Sequence, residues 1–207
     1  MKTTLIGITG GSGSGKTYLA KQIINNYGKD KISLIQVDSY YKDLKYLTMD
    51  KREKNNFDHP DAFDFNLLYQ HITQLKNSTL IEIPSYDYIT HTRNEKKIKI
   101  KNNSIVIIEG IFSIYYKKLR DIIDLKIYLD TPEIISKNRR IIRDKESRGR
   151  TEKSILKQYQ KTVYPMYVEF VKPLMKYSNL IIKDNSVNSN GINILNDYIN
   201  SILDEKL

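Results

Sequence analysis

The fold of this chain is decided near its start by the stretch Leu5-Ile6-Gly7-Ile8-Thr9-Gly10-Gly11-Ser12-Gly13-Ser14-Gly15-Lys16-Thr17. Its second half matches G-x-x-x-x-G-K-[ST], the phosphate-binding loop or P-loop. The glycines let the backbone form a nest of inward N–H groups, Lys16 reaches the terminal phosphates, and the Thr17 hydroxyl is a ligand for Mg²⁺. A flexible glycine–serine turn is the alternative, but an apolar strand precedes the loop and a helical pattern follows it. The stretch therefore predicts a site for a nucleoside triphosphate with Mg²⁺.

Outward from this loop, short apolar runs recur along the chain. Five strands are predicted, at Leu5–Thr9, Ile32–Val37, Ile105–Ile108, Leu125–Leu129 and Leu180–Ile182. The third run is apolar at every position, which is typical of a strand buried on both faces. Helical patterns separate the runs, at Lys16–Asn26, Asn66–Lys76, from Glu133 onward and near Gly191–Leu203. This alternation predicts an α/β fold, a P-loop NTPase-type parallel sheet of about five strands flanked by helices.

One segment breaks the alternation. Leu80–Pro84 and Lys97–Lys101 are short β-type runs, and the second alternates with period two. They predict a small antiparallel β ribbon at about residues 79–101, with Pro84 at a strand end. Because no linker or internal repeat is recognisable, residues 1–207 are predicted to form a single kinase-type domain with this ribbon as an insertion.

Composition excludes several classes of protein. The 207 residues include no cysteine, so disulfides, zinc–thiolate sites and thiol nucleophiles are excluded. No apolar run approaches the roughly 18 residues of a membrane span, no secretory leader is expected, and a cytoplasmic enzyme is predicted. The net charge of +10 fits a nucleic-acid partner, an anionic small substrate, or a lysine-rich solvated surface. We favour the last explanation for most of the 26 lysines.

Two acids follow predicted strands. Asp38 comes directly after Ile32–Val37, and Glu109 after Ile105–Ile108. In open α/β sheets the ligand lies beyond the carboxyl ends of the strands, where both acids would sit. Glu109 is placed to hold Mg²⁺, directly or through water, and Asp38 to accept a proton from an attacking hydroxyl. Either acid alone could simply end its strand, but a P-loop on the first strand favours a joint catalytic role.

Arginine is concentrated in one segment. Five of the eight arginines lie at Arg139, Arg140, Arg143, Arg148 and Arg150. Guanidinium groups suit bidentate phosphate or ribose contacts, and Gly149 gives the segment a flexible point, so a lid at about residues 139–152 is predicted. A solvated helix face with pairs such as Arg140–Asp144 is the simpler alternative. Nucleic-acid binding is disfavoured, because no aromatic residues are interleaved here.

The same segment contains a predicted helix start. Asp130-Thr131-Pro132-Glu133 combines a capping side chain, a proline in the first turn and an acid. The pattern predicts that the helix carries its apolar residues at Ile134, Ile135, Ile141 and Ile142.

Two polar–aromatic loops complete the set of candidate binding residues. They are Asn56–Asp64 and Pro84–Arg93. Aromatic faces stack on planar bases, His or Arg edges read base atoms, and carboxylates hold sugar hydroxyls. Considered alone, Phe57 and Phe63 would be expected to pack against the core and not to bind a base. His59, which precedes Pro60, would be expected to have a structural role and not a catalytic one.

Together these segments closely resemble the uridine kinase (uridine–cytidine kinase) family of P-loop kinases, over most of the chain up to about Ile182. The specific segments are Asn56–Asp64 and Tyr86–Arg93, whereas the P-loop is generic. The remaining matches are Asp38–Asp43, Glu109–Ile111, Arg143-Asp144, Arg148–Arg150 and Gln158-Tyr159. The resemblance implies transfer of phosphate from ATP or GTP, with Mg²⁺, to the 5′-hydroxyl of uridine or cytidine. It also implies a homotetramer that acts on a small nucleoside, with neither nucleic acid nor a membrane as partner.

The resemblance further implies a role for each matching residue. Asp38 would be the catalytic base, and Lys16, Arg143 and Arg148 would meet the phosphates. The metal would be surrounded by Thr17, Asp38 and Glu109. Asp58 and Arg140 would hold the ribose hydroxyls. The pyrimidine would be recognised by Tyr86, His91, Arg150 and Gln158, with Phe57, Tyr41 and Tyr88 packed around it.

Some positions depart from the family pattern. Tyr18 stands where a second small hydroxyl residue is usual, and Ser147 where Glu is frequent. The segment 183–188 lacks the glycine-rich stretch and acid expected near the nucleotide base, which leaves the choice between ATP and GTP open. Two other functions are also open: a related kinase of a sugar phosphate or pantothenate, and a non-catalytic P-loop protein that binds nucleotide or RNA.

Overall fold

The computed structural model describes residues 3–183 and 190–205. Its centre is a five-stranded sheet of order β2-β7-β1-β8-β9, in which every pairing is parallel. The strands are β1 (Thr4–Gly10), β2 (Ile32–Gln36), β7 (Ile105–Glu109), β8 (Leu125–Leu129) and β9 (Leu180–Ile182). The predicted fold class and all five predicted strands are confirmed.

Helices and smaller strands occupy the segments between these strands. The helices are α1 (Lys16–Tyr27), α2 (Met49–Glu53), α3 (Phe65–Lys76), α4 (Lys117–Ile122), α5 (Glu133–Arg148), α6 (Glu152–Gln158), α7 (Tyr164–Met166) and α8 (Asn190–Asp204). π-helical turns at Tyr159–Val163 and Tyr167–Val171 flank α7, and a 3₁₀ turn at Lys172–Tyr177 follows. Within the described ranges, no helix combines the length and apolarity needed to cross a bilayer.

The ribbon predicted at residues 79–101 consists of two nested antiparallel pairs. β3 (Leu80–Ile83) pairs with β6 (Ile98–Lys101), and β4 (Tyr86–Asp87) pairs with β5 (Thr92–Arg93). Ile81, Ile83 and Ile100 are buried in the core. The outer pair is thereby anchored, and the inner pair extends as a short hairpin that carries Tyr86, Tyr88 and His91.

Two apolar layers cover the sheet, one on each face. Alternate residues of β7 point to opposite layers: Ile105 and Ile107 pack with α1 and α8, and Val106 and Ile108 pack with α3 and the ribbon. All four are fully buried, as expected of a central parallel strand. This packing fixes the carboxyl ends of β1, β2 and β7 side by side, and the candidate site lies there.

Helix α5 differs from the sequence prediction in two ways. Its N-cap residue is Pro132, whose side chain has no hydrogen-bonding group, and the Thr131 hydroxyl donates to the Ser14 carbonyl in the P-loop, at 2.9 Å. Its predicted apolar residues do not face the core: Ile134 and Ile142 are 70% and 56% exposed. The buried face carries Ser136, Arg140 and Asp144. The sequence placed these isoleucines in the helix, but their spacing does not show which face of the helix is buried.

Candidate active site

The P-loop links β1 to α1 and passes beneath α5. Gly15 adopts a left-handed conformation (φ 96°) immediately before the first turn of α1. Gly13 has φ +81°, and a Cβ atom there would lie 2.1 Å from the Ser136 carbonyl oxygen of α5. Only glycine fits this contact, so the close approach of loop and helix accounts for that glycine in the motif.

Lys16 is buried at the base of the loop. Its Nζ donates to the carbonyls of Gly10 and Gly11, at 3.0 and 2.8 Å. Burial lowers the pKa of Lys16 to about 8, although Glu109 and Asp38 oppose that effect. A cation that is poorly solvated in this way gains most from an anionic partner such as a phosphate.

The predicted metal ligands converge beside the loop. Glu109 Oε1 accepts hydrogen bonds from the Thr17 hydroxyl and from Gln36 Nε2, both at 2.9 Å. Asp38 lies in the 3₁₀ turn that follows β2, and it lines the same cavity of about 220 Å³ as Lys16, Thr17 and Glu109. One hydroxyl and two carboxylates fit Mg²⁺, which usually takes one or two protein carboxylates together with phosphate oxygens. Among the described residues, no three His, Asp or Glu side chains form a metal cage by themselves.

The electrostatics of Asp38 suit proton transfer. Burial and, to a lesser extent, the nearby Glu109 raise the pKa of Asp38 to about 6, and the positive charge of Lys16 partly opposes them. A carboxylate with a pKa near 6 is a stronger base than a solvated one and is still mostly ionised at neutral pH.

A cluster of aromatic side chains lies close to Asp38. Tyr41 packs edge-on against Phe57 and beside Tyr86, with ring centroids 5.4 and 5.1 Å apart. Phe57 stacks on His91 at 4.6 Å, and His91 has the left-handed φ of 56°, which is uncommon for a residue with a side chain. The Tyr86 hydroxyl is buried and has no hydrogen-bond partner among the described residues. Because buried polar groups are normally paired, this hydroxyl is suited to meet a polar group of a ligand.

The arginine segment borders both regions. Arg140 is buried, with its guanidinium 3.7 Å from Asp58 Oδ1 and 2.8 Å from the Ser12 hydroxyl of the P-loop. Arg143 lines the cavity beside Lys16. Arg148 lies over the Tyr88 ring, 5.0 Å from its centroid. The residues predicted for the ribose, the phosphates and the base are thus brought to one side of the sheet.

Arg150 and Gln158 bond to one another and not to the aromatic cluster. Gln158 Oε1 accepts hydrogen bonds from Arg150 (2.5 Å) and Arg140 (3.2 Å), and Arg150 also contacts Ser154. The Arg140–Gln158 bond joins α5 to α6, and Arg150, which follows α5, is bound to α6.

Two residues of the site, Gln36 and Asp144, were given no role from sequence: Gln36 holds Glu109, and Asp144 lies among four guanidinium groups. Two residues with a predicted role make a further contact: the P-loop Ser12 holds Arg140, and Arg139 of the predicted lid lines the cavity. Gln36 pairs in register with Glu109, so correct alignment of β2 with β7 would have revealed it. Asp144 had a signal in the sequence, as the acid within the arginine run.

Comparison with known proteins identifies the family to which the chain belongs. A model of the phosphoribulokinase / uridine kinase family matches residues 5–190. Uridine kinase of Macrococcus caseolyticus (strain JCSC5402) is 45% identical over 202 residues, 98% of each chain. Uridine kinase of Staphylococcus aureus (strain JH9) is 43% identical over 204 residues, 99% of each chain.

Solved structures share the fold. A possible uridine kinase from Bacillus stearothermophilus superposes with a TM-score of 0.62 at 22% identity, over 88% of this chain and 90% of that one. Phosphoribulokinase from Rhodobacter spheroides gives 0.63 at 16% identity, over 92% and 74%. Both likenesses concern the fold, whereas the family match and the curated relatives span nearly the whole sequence. The chain therefore belongs to the phosphoribulokinase / uridine kinase family.

Proposed function

We propose that this protein transfers the terminal phosphate of ATP or GTP to the 5′-hydroxyl of uridine and cytidine, giving UMP and CMP for pyrimidine salvage. One observation carries the proposal: the cavity of the P-loop and the acid pair Asp38–Glu109 lies beside a cluster of aromatic side chains that includes a buried, unpaired Tyr86 hydroxyl. Identity of 45% to a uridine kinase over 98% of the chain supports it.

The donor phosphates lie in the P-loop under this proposal. Backbone N–H groups of Gly10–Thr17 and the Lys16 ammonium bind them. Thr17, Asp38 and Glu109 would hold Mg²⁺, which would supply charge neutralisation at the phosphate oxygens. Gln36 and Thr17 keep the Glu109 carboxylate oriented toward the same cavity.

The acceptor hydroxyl meets Asp38. The transition state of phosphoryl transfer is loose, so the carboxylate orients the hydroxyl and accepts its proton as transfer proceeds. With its pKa raised to about 6, Asp38 is ionised and able to accept that proton at pH 7.

The nucleoside fills the space between the hairpin and α5. Asp58 and Arg140 hold the ribose hydroxyls, and Tyr86, His91, Arg150 and Gln158 read the pyrimidine. Tyr41, Phe57 and Tyr88 pack around it. Binding of a base would require Arg150 and Gln158 to exchange part of their mutual hydrogen bonding for the ligand.

The arginines complete the phosphate site. Arg143 and Arg148 contact the transferred phosphate. Residues 139–152 form a lid that closes over the site and excludes water, and residues 1–207 form a single kinase domain. We further propose a cytoplasmic homotetramer that binds neither nucleic acid nor membrane. Residues 184–189, which include most of the segment expected near the donor base, lie outside the described ranges, so ATP and GTP are both retained as donors.

A substrate panel tests the proposal. Purified protein receives Mg-ATP or Mg-GTP with uridine, cytidine, adenosine, pantothenate or ribulose 5-phosphate, and release of ADP or GDP is followed. Uridine and cytidine should raise the rate well above the background seen without acceptor. The proposal fails if both leave the rate at background, and turnover of pantothenate or ribulose 5-phosphate alone would identify the other kinase.

A further inference from the structure

The arginine segment surrounds one carboxylate that the proposed reaction does not use. Asp144 lies on the buried face of α5 and is fully buried, whereas Ile134 and Ile142 of the same helix are exposed. A buried carboxylate is strongly disfavoured unless charged partners compensate it. The helix thus turns Asp144 inward where its isoleucines would otherwise pack, and compensation must come from the neighbouring groups.

Four guanidinium groups supply that compensation. Arg143 directs both Nε (2.9 Å) and an NH2 nitrogen (2.8 Å) at Asp144 Oδ1, and Arg148 lies 3.6 Å from the same oxygen. Arg140 Nε and Arg150 approach Oδ2 at 3.6 and 3.7 Å. Burial alone would raise the pKa of Asp144, but the arginines, Arg143 first among them, hold it below the usual value. The carboxylate therefore stays charged.

The two carboxylate oxygens are used unequally. Oδ1 is hydrogen-bonded to Arg143, whereas Oδ2 and Arg140 Nε, both buried, have no hydrogen-bond partner among the described residues. Oδ2 is thus held only by charge at distances beyond a hydrogen bond. The inner pair Arg140–Asp144 is buried, while the Arg143 and Arg148 side chains are 43% and 32% exposed. Arg143 lines the phosphate cavity, and Arg148 lies close enough for its charge to act on Asp38.

We propose that Asp144 is a positioning residue for phosphoryl transfer: its buried carboxylate holds Arg143 at the phosphate cavity and Arg148 beside it, against their mutual repulsion. The proposal rests on the proposed function for its kinetic consequence. Asp144 touches no substrate. It acts by fixing the positions of the Arg143 and Arg148 guanidinium groups. A displacement of about 1 Å in such groups lowers turnover by about 100-fold.

Asp144→Asn tests this, because it keeps the size of the side chain and removes the charge. Asp197→Asn, the same change at an exposed acid of α8, is the matched control. We expect kcat for uridine phosphorylation to fall by about 100-fold in D144N. Affinity for inorganic tripolyphosphate, measured by calorimetry, should stay within threefold of the unmutated protein or tighten, because the site gains net positive charge. Asp197→Asn should change neither quantity.

A purely structural role would give a different pattern. D144N would then lose tripolyphosphate affinity and thermal stability together, or keep a kcat equal to that of D197N, and either result overturns the proposal. Asp144→Glu restores the charge, and it should recover at least tenfold of the lost kcat. If neither variant folds, Asp144 serves the fold itself, and the proposal is likewise overturned.

A spectroscopic measurement separates this proposal from the proposed function. In ¹⁵N-labelled protein the Arg143 Nε–H signal should exchange slowly with solvent and should become fast in D144N, while P-loop amide signals keep their positions. If the unmutated protein fails to phosphorylate uridine, the proposed function is lost, but this signal still decides the role of Asp144. An Arg143 signal that is unchanged in D144N would refute the positioning role.

Discussion

Replacing Asp38 with Asn removes the proposed base and leaves its volume nearly unchanged. In the unmutated protein the pKa of Asp38 is about 6, so about nine-tenths of the carboxylate is ionised at pH 7. A positioned general base contributes about 10²- to 10⁴-fold to a rate, which corresponds to about 3–5 kcal/mol of activation free energy. We expect kcat of D38N to fall within that range, while the Kd for uridine changes by no more than about threefold, because the Asn carbonyl still accepts a hydrogen bond.

The assay combines steady-state turnover with calorimetric binding of uridine, and Asp50→Asn, an exposed acid on α2, is the control.

The pH profile of kcat adds a second test. Because the raised pKa means that the base is lost on acidification, kcat of the unmutated protein should fall about tenfold per pH unit below about pH 6, and D38N should lack this limb. Equal losses of turnover and affinity in D38N would refute the reasoning and make Asp38 a binding residue only.

Three further predictions follow from single contacts. Tyr86→Phe should stabilise the ligand-free protein by about 1 kcal/mol, because it removes a buried unpaired hydroxyl, and should raise KM for uridine; denaturant unfolding and kinetics check both. Gly13→Ala should abolish nucleotide binding and lower the melting temperature, because its Cβ would lie 2.1 Å from the Ser136 carbonyl. The pKa of Lys16 in the folded protein, about 8, lies below the ordinary value of 10.5 that the unfolded chain has, so its contribution to stability should rise by roughly 2 to 3 kcal/mol between pH 8 and pH 10.5. A difference in unfolding free energy from Lys16→Met that stays constant with pH would contradict this.

The sheet and the acids at its edge were predictable because each rests on local sequence. Ile105–Ile108 is apolar at every position, as a strand buried on both faces requires, and Glu109 follows it directly. The P-loop pattern specifies both its chemistry and its place between a strand and a helix. The parts of the site built on these elements needed no long-range information.

The orientation of α5 was not predictable from periodicity. The pattern placed isoleucines in the helix without showing which face is buried, and the structure buries Arg140 and Asp144 while Ile134 and Ile142 are exposed. The hydrogen bond from Gln36 to Glu109 was also not predicted from the sequence, because it depends on the register of β2 against β7. Both are properties of tertiary contacts, which spacing along the chain does not encode.

The most direct test of the proposed acceptor is the site of phosphorylation. The protein is incubated with Mg-ATP and either uridine or 5′-deoxyuridine, and the products are identified by ³¹P NMR and chromatography. Phosphate on the 5′-oxygen of uridine, with no product from 5′-deoxyuridine and inhibition of uridine turnover by it, is the predicted result. Phosphate at the 2′ or 3′ position, or turnover of 5′-deoxyuridine at the rate of uridine, would contradict the placement of the 5′-hydroxyl at Asp38.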